Sequence, residues 1–263
     1  MTVRASTGTG TGTGTWSAPT RRACEAASRL GLLLDDDALA PPRPDASALT
    51  ALECGRVALV CGPSGSGKST LLRAAAAGWR ARGVGVFDPS RVRLRDRAGV
   101  DHVPGAVEAA MRHLARFGLA EARCFVRRPR ELSEGQRARL ALAVAADRAA
   151  RATKRCGATG TDVGARSAPV AVLVVDEFGA SLDEACALGV ARALRRFVEA
   201  TTGVCAVVAT TRDGVARALA PHVVIELGLT GGRREVRKAG DSGGGDAGGG
   251  RGGEVTGGGG GGG

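Results

Sequence analysis

The sequence predicts an α/β fold built on a largely parallel sheet, and three observations predict it. Short apolar runs of strand length recur along the chain, each followed by a longer stretch whose apolar residues have helical spacing. The first run ends in a glycine-rich turn that opens directly into a helix. The run before the paired carboxylates Asp176 and Glu177 is apolar throughout instead of alternating, as expected of a strand buried on both faces. In such a fold a ligand lies beyond the carboxyl ends of the strands.

Taken in order, "RVALVCG" (56–62) reads as a strand ending in a glycine turn, and "STLLRAAAAGWRARG" as a helix stopped by Gly83. A second strand follows in "VGVFD" (84–88). "RVRLR" (91–95) alternates strictly and predicts a further strand with one basic face. From Pro104 to about Ala120 the spacing of Val107, Met111, Leu114 and Phe117 predicts one core-facing helical stripe. The next helix opens at Ser133. That residue is a natural N-cap, Gln136 stands where a capping-box partner belongs, and Glu134 favours the positive end of the helix dipole. Residues 150–168 lose periodicity and read as a flexible insertion. "PVAVLVVDEFG" is the buried strand, followed by a helix over 183–199, a strand in "VCAVVATT" (204–211), a short helix and a last strand in "HVVIEL" (222–227).

The bulk numbers bound what this body can be. A chain of 263 residues accommodates one domain with a sizeable core, expected over residues 21–238. The Thr/Gly-rich stretch within residues 1–20 and the Gly-rich stretch 239–263 hold too little apolar surface to offset chain entropy, so both are expected to be disordered tails. The formal charge of +11 raises nucleic acid as a partner. Support is weak, because lysine occurs only at Lys68, Lys154 and Lys238 and the arginines are spread along the chain instead of forming one block. The seven cysteines include no C-x-x-C pair, which excludes the usual zinc spacings, and their odd number argues against a disulfide framework. Reduced thiols in a cytoplasmic protein are the simplest account. The N-terminus lacks the continuous apolar core of a secretory signal, and no apolar run approaches the ~20 residues that span a bilayer, so no membrane insertion is expected.

The chemistry is concentrated in two motifs. "GPSGSGKST" comprises Gly62, Pro63, Ser64, Gly65, Ser66, Gly67, Lys68, Ser69 and Thr70, and it satisfies G-x-x-x-x-G-K-[ST] with a strand before it and a helix after it. Glycines let successive amides turn toward a phosphate, Lys68 is placed to reach the β- and γ-phosphates, and the Ser69 hydroxyl is placed to ligate Mg²⁺. Small P-loop kinases use nearly the same words, so the loop alone does not name a reaction. The second motif is the Asp176–Glu177 pair. Asp176 is placed to hold the Mg²⁺ shell, and Glu177 to orient or deprotonate a water for attack on the γ-phosphate of ATP.

"LSEGQ" (132–136), "GPSGSGKST" and "DEFGASLD" together resemble the ATP-binding cassette (ABC) ATPases in order and spacing, over roughly residues 50–228. The resemblance implies an ABC-type P-loop domain with a mostly parallel sheet and a reduced helical subdomain. It also implies ATP and Mg²⁺ as ligands and a homodimer that encloses two nucleotides. Ser133, Gly135 and Gln136 would then contact the nucleotide of the opposite subunit, and Ser181, Leu182 and Asp183 would form the D-loop. Departures are equally legible. Glu134 replaces a signature glycine, the only glutamine is Gln136, and Asp101 or His102 lies nearest the place of the missing Q-loop glutamine. Thr211 stands where the family's switch histidine is expected, so a neutral hydroxyl would meet the phosphate and turnover is expected to be slow. The wording of "ELSEGQRARLALA" and "VVATTRDGVARALAPHVVIEL" resembles a soluble branch of the family found joined to predicted acetyltransferase domains. Three expectations follow for the work of the ATP cycle: it drives an unidentified protein partner, gates a nucleic-acid-binding surface, or powers a transporter in which this chain is the ATP-binding subunit.

Overall fold

A computed structural model describes residues 20–31, 44–156, 168–228 and 234–238. Nearly all of the two expected tails, and most of the expected insertion, lie outside the described residues. The chain divides into two compact units, Met1–Arg43 and Pro44–Gly263. In the first, helix α1 (Arg21–Arg29) starts at Thr20, whose hydroxyl accepts from the Ala23 amide, and carries an Arg29–Glu25 ion pair one turn apart.

The second unit is a six-stranded sheet in the order β2-β3-β4-β1-β5-β6, flanked by helices. Its elements are α2 (Ser47–Thr50), β1 (Val57–Cys61), α3 (Lys68–Ala81), β2 (Gly85–Phe87), α4 (Val107–Arg116), α5 (Ala122–Val126), α6 (Glu134–Arg155), β3 (Ala171–Val175), α7 (Glu184–Ala200), β4 (Val204–Ala209), α8 (Asp213–Leu219), β5 (Val223–Leu227) and β6 (Arg234–Lys238). Five strands are parallel, and β6 returns antiparallel along β5. The strands expected at 56–62, 84–88, 169–179, 204–211 and 222–227 are all present, and Gly83 ends α3 in the left-handed region at φ +76°. β6 was not anticipated, because the glycines around it mask a five-residue strand.

Strand alternation sorts the core onto the two faces of the sheet. Val57, Leu59, Leu173, Val175, Ala206 and Val208 turn one way, toward Leu114, Phe117, Leu140, Val190 and Leu194 of the helices after β2 and β3. Ala58, Val60, Val172, Val174, Val207 and Ala209 turn the other way, toward Leu49, Leu71, Leu72, Ala75 and Trp79. Both faces are therefore apolar, which is why these strands lack a polar alternation.

Three expectations need correction. Residues 91–95 do not pair into a strand. The Asp88 carboxylate accepts from the Ser90 amide (2.8 Å) and hydroxyl (2.6 Å), and Pro89 starts a 3₁₀ turn over Pro89–Arg91 that takes the chain out of the sheet. The alternation survives as extended backbone, with Val92 and Leu94 packed on the core and Arg91, Arg93 and Arg95 exposed. The helical stripe over 107–117 holds only in its second half. Val107 is 56% and Met111 36% exposed, whereas Ala110, Leu114 and Phe117 are buried, because the first turn of α4 borders an open groove with Val100 and Val103. Residues 150–155 continue α6 instead of opening an insertion, since buried Thr153 returns its hydroxyl to the Ala150 carbonyl and Ala149 packs in the core. Asp101 and His102 lie in a 3₁₀ turn (Gly99–His102) between β2 and α4, where the buried His102 ring meets the Arg95 and Ala98 carbonyls. Asp88, Pro89 and Ser90 follow β2 beside β3.

Among the described residues no helix is long and apolar enough to cross a membrane.

Candidate functional site

The site begins where β1 stops. Gly62 takes φ +142°, and a Cβ there would lie 2.3 Å from the Leu227 carbonyl oxygen, so the strand can leave the sheet only at a glycine. Gly67 then caps α3 in the left-handed region at φ +90°, with no side chain bonded to the first amides of the helix. Lys68 folds back over this loop and donates from Nζ to the carbonyls of Gly62 (2.7 Å) and Pro63 (2.6 Å). Ser66 Oγ is buried and has no hydrogen-bond partner among the described residues. A buried orphan hydroxyl, uncapped helix amides and a flexible cation facing one loop form a receptor for a multiply charged oxyanion. Directly beneath, burial first, and Glu226 and Asp213 next, push the Cys61 thiol up and keep it protonated.

The opposite wall comes from the end of β3. Asp176 and Glu177 are exposed there, and Glu177 adopts φ +50°, uncommon for a residue other than glycine. The Glu177 amide donates to Asp176 Oδ1 at 3.0 Å. Two hydrogen bonds pin the turn to the end of β4, and a third braces the segment just after β4. The Phe178 amide donates to the Ala209 carbonyl (2.8 Å), the Thr210 hydroxyl to the Phe178 carbonyl (3.1 Å), and the Arg212 amide to Thr210 Oγ1 (3.2 Å). Thr210 is only 2% exposed, which protects these bonds from water.

Loop and wall enclose a cleft of about 490 Å³ lined by Ser64, Gly65, Gly67, Lys68, Ser69, Thr70, Asp176, Glu177, Thr211 and Arg212, among others. The fold therefore unites the phosphate loop, the carboxylate pair and Thr211, which lie far apart in sequence. Gly62, Pro63 and Ser66 sit in the same loop behind that lining. Sequence reasoning missed two residues here. Thr210 is the buried pin of the Asp176–Glu177 turn, a role visible only once β4 is set beside β3. Arg212 adds a half-buried guanidinium to the cleft, and its only sequence signal was its place next to Thr211. A second cavity, about 210 Å³, places Pro89 and Ser90 behind Asp176 and Glu177.

Ser133, Gly135 and Gln136 do not line the phosphate cleft of their own chain. They form the tip of α6, where the expected capping box is present. The Gln136 amide donates to Ser133 Oγ (3.2 Å), and the Ser133 amide donates to Gln136 Oε1 (3.0 Å). Ser133 and Glu134 are exposed, and Gly135 packs so closely on the Ser181–Leu182 turn that a Cβ would meet the Ser181 carbonyl at 2.8 Å. Asp183 next to that turn caps α7 by accepting from the Cys186 amide at 2.8 Å.

Two solved structures share this arrangement of elements: a dimeric bacterial ABC transporter cassette, and the post-hydrolysis dimer of such a cassette bound to ADP and Pi. Each is 20% identical, covers 72% of this chain and 87% of its own, and superposes with a TM-score of 0.50. The fold is that of an ABC-type ATP-binding cassette. No family model matches the chain, and no curated protein of similar sequence was found. The α/β cassette with its parallel five-stranded core agrees with the P-loop NTPase fold expected from the strand–turn–helix pattern.

Proposed function

We propose that the chain is a cytoplasmic ABC-type ATPase that binds Mg·ATP at Gly62–Thr70, pairs head to tail with a second copy around two nucleotides, and hydrolyses ATP. The observation that carries this reading is the division of the motifs. Lys68, Ser69, Asp176 and Glu177 line one cleft, whereas Ser133 and Glu134 at the tip of α6 are exposed and lie outside it. Mg²⁺, when bound, neutralises charge on the β- and γ-phosphates. Ser69 and Asp176 would hold it, the loop amides and Lys68 bind the phosphates, and the orphan Ser66 hydroxyl gains a partner. Glu177 accepts a proton from water as the water oxygen bonds to the γ-phosphorus and the bond to the β-bridging oxygen breaks, releasing ADP and phosphate. Thr211 donates its hydroxyl to the departing phosphoryl group, and Ser133, Gly135 and Gln136 meet the same group from the second copy. A neutral Thr211 stabilises less developing charge than an imidazolium would, so turnover is slow.

The ATP cycle drives a partner process. The wording of the Ser133 and Thr211 segments supports a soluble branch of the family, and the transporter cassettes that share the fold support a second reading as a transporter's ATP-binding subunit. Pull-down with the ATP-locked Glu177→Gln form separates the two: a soluble partner supports the first, and a membrane protein with an extended cytoplasmic face supports the second.

A further inference from the structure

Two arginine runs that are separate in sequence meet where the Gly99–His102 turn packs against α5. One is "RVRLRDR" (91–97), with Arg91, Arg93, Arg95 and Arg97; the other is "RCFVRRPR" (123–130), with Arg123, Arg127, Arg128 and Arg130. The Gly99 amide donates to the Arg127 carbonyl at 3.0 Å, and Gly99 sits so close to α5 that a Cβ would meet the Cys124 carbonyl oxygen at 2.3 Å. Asp96 ties the runs together by pairing with both Arg128 (3.2 Å) and Arg130 (3.5 Å). His102 holds the first run from beneath through the Arg95 carbonyl. All eight arginines are exposed. Five carboxylates border the runs: Asp96 as described, Asp88 paired with Arg91 (3.4 Å), Glu131, which accepts from the Arg128 amide (2.7 Å), and the exposed Asp101 and Glu121. Eight exposed guanidinium groups against five carboxylates leave the joined segments basic, and the Gly99–Arg127 and Asp96 contacts hold the two runs together.

We propose that the basic surface formed by segments 91–97 and 123–130 binds the phosphate backbone of duplex nucleic acid without reading its sequence. Guanidinium forks match phosphate oxygens, and a row of them spaced along extended backbone matches a row of phosphates. An acidic protein partner would require an apolar interface centre. Here Val92 and Leu94 turn into the core, and Val126, 71% exposed, is the one large exposed apolar side chain of the two runs. Single strands are gripped by stacking on aromatic side chains, and the only aromatic residue in either run, Phe125, packs half-buried against the core. The proposal deepens the ATPase reading by naming the partner, but the surface itself is independent of nucleotide.

The test is fluorescence anisotropy of the full chain with a labelled 30-bp DNA duplex between about 50 and 200 mM salt, without ATP. Wild type is expected to bind with a steep negative salt slope. The variant Arg93→Gln/Arg95→Gln/Arg123→Gln/Arg127→Gln, which spares the Asp96 pairs, is expected to bind at least tenfold more weakly with a slope shallower by about 3 to 4. The charge-matched control Arg73→Gln/Arg192→Gln/Arg196→Gln/Arg217→Gln, on the exposed surfaces of α3, α7 and α8, is expected to stay close to wild type. Absence of salt-dependent binding, equal losses in the two variants, or tighter binding to a single strand or to polyglutamate than to the duplex overturns the proposal. ATP binding and circular dichroism of each variant are recorded separately, so a failed nucleotide site and a failed arginine face give different results.

Discussion

Two helix starts in this protein solve the same electrostatic problem in opposite ways. Helix α3 begins at Gly67 with no side-chain cap, leaving its first amides and the Ser66 hydroxyl without side-chain partners among the described residues. Helix α6 begins at Ser133 with a complete capping box that satisfies its own end. The first is open and incomplete without an anion. The second is self-sufficient, so a phosphate meeting it must be received by Ser133 Oγ and the Gly135 amide, or must displace part of the box, at a cost of about 1 kcal/mol. One end is built to bind, and the other is built to stay rigid while it completes a site elsewhere.

Breaking the open end should have the largest effect. Lys68→Ala removes the cation of the loop, and ATP affinity measured by calorimetry is expected to fall ~30-fold or more, since losing a buried charged partner costs about 2–4 kcal/mol. Next comes the seat of the capped end. Gly135→Ala drives a methyl into the Ser181 carbonyl. It is expected to cost about 1–2 kcal/mol in denaturant unfolding and to abolish ATP-dependent dimerisation while leaving monomer ATP affinity within about twofold. A subtler change sharpens the contrast. Ser133→Ala is expected to lower stability by about 1 kcal/mol and weaken the ATP-dependent dimer about tenfold, whereas Ser133→Gly restores most of the stability but not the dimer. Equal recovery of both would reduce Ser133 to a helix cap.

The smallest expected effect lies away from both helix starts. His222 accepts from the Val57 amide through Nδ1 (3.1 Å), beside the Arg195 guanidinium. Burial, then the charges of Arg195 and Arg56, push its pKa below the ordinary value. The unfolded chain thus binds this proton more readily, so the contribution of His222 is complete above about pH 6.5 and is lost as pH falls below that. Thermal unfolding between pH 7.5 and 5 is expected to show a downward slope in Tm that is shallower in His222→Gln.

How much of this was legible follows from what is local. The phosphate loop, its lysine and the Ser133 capping box are contiguous, and their geometry is dictated by a few neighbouring residues, so the sequence displays them directly. The Asp176–Glu177 pair is readable because it terminates an unbroken apolar strand. Thr210, Arg212 and Ser90 are a different case, since each acquires its place only when β4 or β2 is laid beside β3. The segment 91–95 carried the alternation of a strand, yet the Asp88–Pro89 turn withdrew it from the sheet, and only the basic face remained. Val107 and Met111 have helical spacing but are exposed, Val107 at the edge of a groove, which no periodicity reveals. The arginines are scattered in one dimension, and the Gly99–Arg127 contact joins the two runs that hold eight of them.

Light scattering of the Glu177→Gln form with and without Mg·ATP tests the shared-nucleotide account most directly. A shift from the monomer mass of 26.4 kDa to twice that value on adding ATP, absent in the Lys68→Ala double variant, is the predicted result. A mass that stays at the monomer value while calorimetry records bound ATP would contradict it.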